Sequence, residues 1–325
     1  MDGEQYQRWL EDVDALSDGQ REEVRAILSG RSCEAEVITA LEMRVLADRR
    51  CPHCQHLGAM CRGRANGLRR FHCGGCGKTF NALTGTPLAY LHHKDRWFDF
   101  AQSLSARETV RKSAASCRLA KSTAFRWRHR FLKAIKTDAA LLSGVVEADE
   151  TYVLESQKGS RAWQPAAADG ASTDKPSRPA RKRGGRASKR GLSREQVAVL
   201  VAVDRSGATI SAILPSVTKD AIARVLAPVI AKDALLVTDS ATFYPGCARQ
   251  LGISHQALKP GEHVRGALHI QTVNSRHERL KDMLRRHRGV ATKYLGSYLK
   301  WFHLATIHAD PTRRACLNAA MGAFA

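Results

Sequence analysis

Four cysteines stand in two pairs, Cys51-Pro-His-Cys54 and Cys73-Gly-Gly-Cys76, with eighteen residues between the pairs. In this C-x2-C-x18-C-x2-C pattern each tight turn lets two thiolates converge on one tetrahedral ion, and two turns close the four-coordinate shell that a structural Zn²⁺ prefers. A closed sulfur shell has no open position, so the chemistry is scaffolding. A second group lies in Thr272-Val-Asn-Ser-Arg-His-Glu-Arg-Leu-Lys281, where Asn274, Glu278 and Lys281 follow each other at spacings of four and three. On a helix those side chains fall within roughly 60° of arc. Oxygen ligands and an ammonium on one face, among Arg276, Arg279, Arg285 and Arg286, suit a polyanion held near a metal; an ordinary solvated basic helix is the plainer alternative. The third group is acidic. Asp149 sits inside Val145-Val-Glu-Ala-Asp-Glu-Thr-Tyr-Val153 and Asp239 closes Leu235-Leu-Val-Thr-Asp239. On a strand Glu147 shares the face of Asp149 and Glu150 points to the other. Taken singly, Asp149 could cap a loop and Asp239 could make an Asp-Ser turn.

The elements that must position these groups form a multidomain α+β chain. Residues 1–48 read as an N-terminal helical segment, with amphipathic helices at YQRWLEDVDAL and CEAEVITALEMRVLA and a Gly/Ser break at 29–32. Residues 49–90, rich in Gly and basic residues around the cysteines, read as a zinc ribbon. Residues 91–140 return to helical periodicity. Within them Ser113 to Leu132 looks like a helix-turn-helix: Ser122 is placed to cap the second helix, which presents Arg126, Arg128 and Arg130 to DNA. Residues 141–325 read β-β-β-α-β-α-β-α, with strands at 145–153, 197–204, 209–217, 234–239 and 255–258, helices at 219–231 and 245–251, and a long helix from 272. Trp301 and Phe302 belong to its core-facing side. The stretch at about 155–195 is dominated by Gly, Ala, Ser, Pro, Lys and Arg and reads as a disordered basic insertion.

Composition narrows the partners. The 325 residues carry a formal net charge of +21, and removing the nine basic residues between Lys175 and Arg194 still leaves +12. An excess this large points to a polyanion, of which nucleic acid is the commonest. No membrane role is expected: the longest apolar run, Val197–Val203, has seven residues, far short of a span. The acidic, amphipathic N-terminus reads as neither a signal nor a transit peptide. Nine cysteines, four of them in the pairs, fit a reducing cytosol with one metal site better than a disulfide framework. Cys33, Cys61, Cys117, Cys247 and Cys316 are expected as small buried hydrophobes.

The segments VVEADETYV, KRGLSREQVAVLVAVDRSG, LLVTDSATFY and HIQTVNSRHERLKDMLRRHRGVATKYLGSYLKWF, preceded by CPHC, CGGC and STAFRWRHRFL, resemble the insertion-sequence transposases of the IS1595 family, of the ISXO2-like type. The resemblance covers nearly all of the chain beyond residue 48. It implies an RNase H-like catalytic domain at 141–325 and a DDE-type reaction: Mg²⁺-dependent cleavage and strand transfer at the ends of an insertion sequence, with two Mg²⁺ (or Mn²⁺) ions. Asp149 would bridge the ions, Asp239 would ligate one, Asn274 would fill the third position and Lys281 would contact phosphate. Glu278, one turn along, is the alternative third acid. The partners so implied are double-stranded DNA, as terminal inverted repeats and as target, and further copies of the chain in a homodimer or larger synaptic complex. The setting is a bacterial cytoplasm, at the nucleoid when bound to DNA. Two rivals remain: a non-catalytic DNA-binding regulator built on the ribbon and the helix-turn-helix, and an RNase H-like nuclease of another kind.

Overall fold

The computed structural model describes residues 2–17, 20–21, 33–134, 141–159, 164–165, 177–178, 187–188, 193, 195–259, 261–262 and 264–307. The chain divides into two compact units, one holding most of the first 134 residues and the other Ile135–Pro311.

The first unit opens with α1 (Gly3–Asp14), capped by Asp2 and Gln5 in a reciprocal capping box, and α2 (Cys33–Asp48). A small antiparallel sheet follows, in the order β1 (Met60–Ala65), β2 (Leu68–His72), β3 (Thr79–Phe80). Asn66 and Gly67 both take positive φ between β1 and β2, the two-residue turn whose twist matches a hairpin. Phe71 and Phe80 stack with centroids 5.4 Å apart beside buried Cys51 and Cys73, and Val45 and Leu46 of α2 pack on the same cluster. Then come α3 (Trp97–Ser105), α4 (Val110–Ser116) and α5 (Lys121–Ala134). Phe100 of α3 sits edge-on to Trp127 and Phe131 of α5, and these rings are buried. The turn from α4 to α5 has only four residues, as a helix-turn-helix requires. Because α5 starts at Lys121, Ser122 lies inside its first turn and is not the cap residue.

The second unit is a five-stranded mixed sheet. Its strands in chain order are β4 (Val145–Leu154), β5 (Gln196–Asp204), β6 (Thr209–Leu214), β7 (Leu235–Thr238) and β8 (Ser254–Ala257), and their order across the sheet is β8-β7-β4-β5-β6. β4 runs antiparallel to β5, and β5 to β6; β4, β7 and β8 run parallel. β5 is buried from Ala198 to Asp204, so its unbroken apolar run marks a strand covered on both faces. Val146, Ala148, Leu200 and Ala202 face α6 (Lys219–Leu226) and α7 (Tyr244–Leu251) in one apolar cluster. By alternation Glu147, Asp149, Val199, Val201 and Val203 face the other way. There α8 (Gln271–Arg286) lies against β4 and β5, and α9 (Thr292–Ile307) lies against β6.

Three details depart from the sequence expectation. The long helix from 272 is two helices, because Arg288 and Gly289 both take positive φ and break it before α9. Trp301 and Phe302 are buried on α9, in agreement with the core role expected of them. A short hairpin, Val264–Arg265 with Leu268–His269, precedes α8; its Gly-centred turn is too brief to show a period-2 pattern. Cys117 and Cys247 are buried as small apolar residues, but Cys61 is exposed on β1. Cys316 and most of the basic stretch at 155–195 lie outside the described residues. The stretch begins and ends in one place: Leu154 pairs with Gln196, and the Glu155 N–H donates to Glu195 O at 2.8 Å. Among the described residues no helix is long and apolar enough to cross a membrane.

Candidate active site

Parallel pairing of β4 with β7 sets Glu147 beside Val237. The ladder ends there: Asp149 lies two residues further along β4 and Asp239 just past the end of β7, near enough for the Asp239 charge to raise the Asp149 carboxyl. The two acids are ninety positions apart in the chain, and only the sheet brings them together. Asp149 is held on the central strand, its side chain 22% exposed, with Oδ1 accepting the Glu150 N–H at 2.8 Å. Asp239 stands just past the end of β7, exposed, with Oδ1 accepting the Ala241 N–H at 3.0 Å in an Asp turn.

Burial pushes the Asp149 carboxyl up to about 6; the Asp239 charge pushes the same way, against the Glu150 N–H and the Lys281 ammonium. Glu150, on the opposite face, is pushed up to about 7 by burial and by the charges of Asp149 and Asp239, although the Tyr244 hydroxyl donates to it. A half-buried carboxyl raised further by the charge of a neighbouring acid is in electrostatic tension, which a bound cation relieves. Oxygen donors of this kind suit Mg²⁺ or Mn²⁺.

The helix over the acids presents a different set from the one the spacing singled out. α8 turns Val273, His277, Leu280 and Met283 inward. His277 reaches the acid pair, with Nδ1 3.7 Å from Asp149 Oδ2, while its buried Nε2 has no hydrogen-bond partner. Burial and the neighbouring Lys281 charge hold the ring down at about 4, so it is neutral near pH 7. Asn274 and Glu278 are exposed, and Glu278 is engaged by Lys281 at 3.1 Å and Arg285 at 3.7 Å. Lys281 lies close enough to lower Asp149, so ammonium and acid share one field. His277 stands outside the arc of Asn274, Glu278 and Lys281 and does not show in that spacing; the signal for it is a polar ring in a row with Val273 and Leu280. Arg279, Arg285 and Arg286 are exposed and Arg276 is half-buried.

A family profile described as the ISXO2-like transposase domain matches residues 141–303, half of the chain. The chain belongs to the ISXO2-like transposases of the IS1595 family. A protein of the transposable element ISH50 from Halobacterium salinarum is 28% identical over 260 residues, covering 78% of this chain and 84% of its own length. Among solved structures, the simian T-cell lymphotropic virus intasome in complex with PP2A regulatory subunit B56 gamma aligns over 63% of this chain and 67% of its own, at 11% identity and a TM-score of 0.31. A pre-cleavage Mos1 transpososome aligns over 69% and 79%, at 11% identity and a TM-score of 0.26.

The family match of this transposase spans Asp149, Asp239, Asn274, Glu278 and Lys281, and leaves the first unit outside it. That unit has a candidate metal centre of its own. The sulfurs of Cys51, Cys54, Cys73 and Cys76 all lie within 4.8 Å of one another, with Cys51 to Cys76 at 3.8 Å and Cys54 to Cys73 at 3.6 Å. Four sulfurs about 2.3 Å from one tetrahedral Zn²⁺ stand about 3.8 Å apart, so the set fits that ion. The two turns are alike: Gln55 N donates to Cys51 O at 2.9 Å, and Gly77 N to Cys73 O at 2.9 Å. On α5, Arg126 and Arg130 are exposed. Arg128 is not available to a partner: it is 0% exposed and donates to Glu108 O at 2.6 Å and Ser113 Oγ at 3.1 Å. A helical residue two places from an exposed arginine lies about 200° round the axis, which is why this one faces inward.

Proposed function

We propose that this transposase cuts the ends of its insertion sequence in a Mg²⁺-dependent reaction and transfers the freed 3′ ends into target DNA, on an RNase H-like catalytic domain. The observation that supports the reading is the parallel pairing of β4 with β7, whose ends lead to Asp149 and Asp239, with the Asp239 charge acting on the Asp149 carboxyl. The sheet supports it: three strands run antiparallel, the first of them is central, and two parallel strands extend on its other side. Asp149 stands on the first of those five strands and Asp239 just past the end of the fourth, and the raising of Asp149 by burial and by the Asp239 charge fits a site for divalent cations.

When bound, two such ions polarise the attacking oxygen and stabilise the leaving 3′ oxygen of an in-line displacement at phosphorus. The residues of the chain supply the frame. Asp149 and Asp239 would hold the ions. Asn274 offers a neutral amide oxygen in third place, and Glu278 is the alternative there. Lys281 steadies a phosphate beside the acids, and Arg276, Arg279, Arg285 and Arg286 extend that basic surface along DNA. In the first unit the four cysteines hold one structural Zn²⁺ in a zinc ribbon, and Arg126 and Arg130 contact DNA from the helix-turn-helix. Two element ends must meet, so the working form is a homodimer or larger assembly on double-stranded DNA, in the cytoplasm at the nucleoid.

Purified protein, end-labelled DNA carrying the terminal repeats and Mg²⁺ test the reading. Asp149→Ala and Asp239→Ala are each expected to lose detectable cleavage while binding the same DNA with parental affinity. Near-normal cutting by either variant would overturn the assignment. A parent protein that binds the ends and never cuts them points instead to a non-catalytic regulator.

A further inference from the structure

We infer that Glu147 is a positioning residue that pins the first turn of α8 to the strand bearing Asp149, and that Arg205 and His269 hold it in place; this inference rests on the reading of the acid site given above. Glu147 is 1% exposed, and every oxygen it has is committed. Oε1 accepts from Arg205 Nη1 and lies 3.1 Å from His269 Nδ1. Oε2 accepts the backbone N–H of Val273 at 2.9 Å. A buried carboxylate engaged on both oxygens is not free to bind a metal, which separates Glu147 from Asp149 although they share a strand face.

The N–H it accepts is the one that matters. Val273 is the third residue of α8, and the residue in the cap position, Ile270, has no side chain that can accept a hydrogen bond. The first amides of a helix need a partner from outside, and the positive end of the helix favours a negative charge. Glu147, 126 positions upstream, does for α8 what its own sequence does not. Asn274 follows the pinned amide directly, and His277 comes one turn later against Asp149. The two rungs have matching lengths. Two residues of strand from Glu147 to Asp149 advance about 6.7 Å, and four residues of helix from Val273 to His277 rise about 6 Å. α8 therefore runs beside β4 with its side chains in register with the acids.

Arg205 extends the pin to the preceding segment. It leaves the end of β5, donates to Ala267 O at 3.2 Å, and lies 2.8 Å from His269 Nε2. The short hairpin before α8 is thereby tied to the same carboxylate.

The experiment compares Glu147→Ala, which removes the acceptor, with Glu147→Gln, which keeps an oxygen for the Val273 amide but not the charge. In DNA-free protein, hydrogen–deuterium exchange of peptides from the first turn of α8 should speed up in E147A, and less in E147Q, with the sheet still protected. In single-turnover cleavage with Mg²⁺ the rate should fall about 100-fold in E147A and about 10-fold in E147Q at unchanged DNA affinity, since an ångström of misplacement is enough for losses of that size. Unchanged exchange in α8 of E147A overturns the pin, as does a Gln variant no better than the Ala variant in both readouts. If E147A fails to fold, E147Q and Arg205→Lys carry the same comparison. If the parent protein cuts no DNA, the reading of the acid site fails, and the exchange data still decide the pin.

Discussion

The two candidate metal centres of this chain are built in opposite ways. The cysteine centre is local: each turn spans four residues, both turns carry the same backbone hydrogen bonds, and a ring stack closes over them. The acid centre has no local motif. Its members come from β4, the end of β7 and α8, and are held by strand register and by a helix whose start is satisfied from elsewhere. A site of the first kind is made by its ion and has little else to hold it. A site of the second kind is made by the fold, and here its half-buried carboxyls are raised above the ordinary carboxylate range.

The largest expected difference follows from that contrast. Structural zinc in small cysteine modules contributes on the order of 10–16 kcal/mol of folding free energy. Chelation, or Cys73→Ser, should melt residues 49–90 to protease while the sheet of the second unit keeps its protection in hydrogen exchange. Stripping Mg²⁺ should do the reverse, abolishing chemistry and leaving both units folded. A ribbon that resists proteolysis after complete zinc removal would break the comparison.

Legibility in the sequence follows the same line. The cysteine pairs, the apolar run of β5 and the turn residues declare themselves over spans of a few positions, so the cysteine cluster and the five strands are readable in order. Asp149 and Asp239 are readable as strand-borne acids, but their adjacency depends on pairing between strands ninety residues apart, which no local pattern encodes. The roles of Glu147 and Glu150 are of that kind too. Their facing directions follow from alternation, while the partners Val273 and Tyr244 come from distant helices. Arg128 was misplaced because a run of arginines looks solvated, and only the packing of α4 on α5 shows which of them turns inward.

The second prediction sharpens the acid centre. Asn274→Ala should slow single-turnover cleavage by about 10- to 100-fold, in the range that loss of a ligand's support commonly produces. Glu278→Ala should slow it by only a few-fold, because Glu278 is 65% exposed and already engaged by Lys281 and Arg285. The reverse ranking would hand the third place to Glu278.

The third concerns the tension itself. Asp149 is raised to about 6 and Glu150 to about 7, so each carboxyl is easier to bury protonated than charged. A folded-state pKa above the unfolded one means that stability is fully present below about pH 4 and is lost as pH rises through 6 to 7. Without metal, Asp149→Asn should therefore be more stable than the parent by about 2 kcal/mol at pH 7.5, with the gap closing towards pH 4. Denaturant unfolding of the metal-free protein at the two pH values reads this directly, and a gap that stays constant with pH would remove the tension from the account. Saturating Mg²⁺ should narrow the gap, because the ion stabilises the parent and binds the variant less well.

The smallest effect tests the first unit's face. Arg126 and Arg130 are exposed on α5, whereas Arg128 ties α5 to the residues before it and to α4. Replacing Arg126 or Arg130 by Ala should weaken DNA binding a few-fold and lower the slope of log affinity against log salt by about one each, the mark of a lost phosphate contact. Arg128→Ala should leave that slope alone and lower the melting temperature of the first unit, since it strands a buried carbonyl and hydroxyl. The two kinds of loss are separable in one salt titration with a thermal scan beside it. A salt slope that falls for Arg128→Ala and not for its neighbours would mean that the helix meets DNA by its other side.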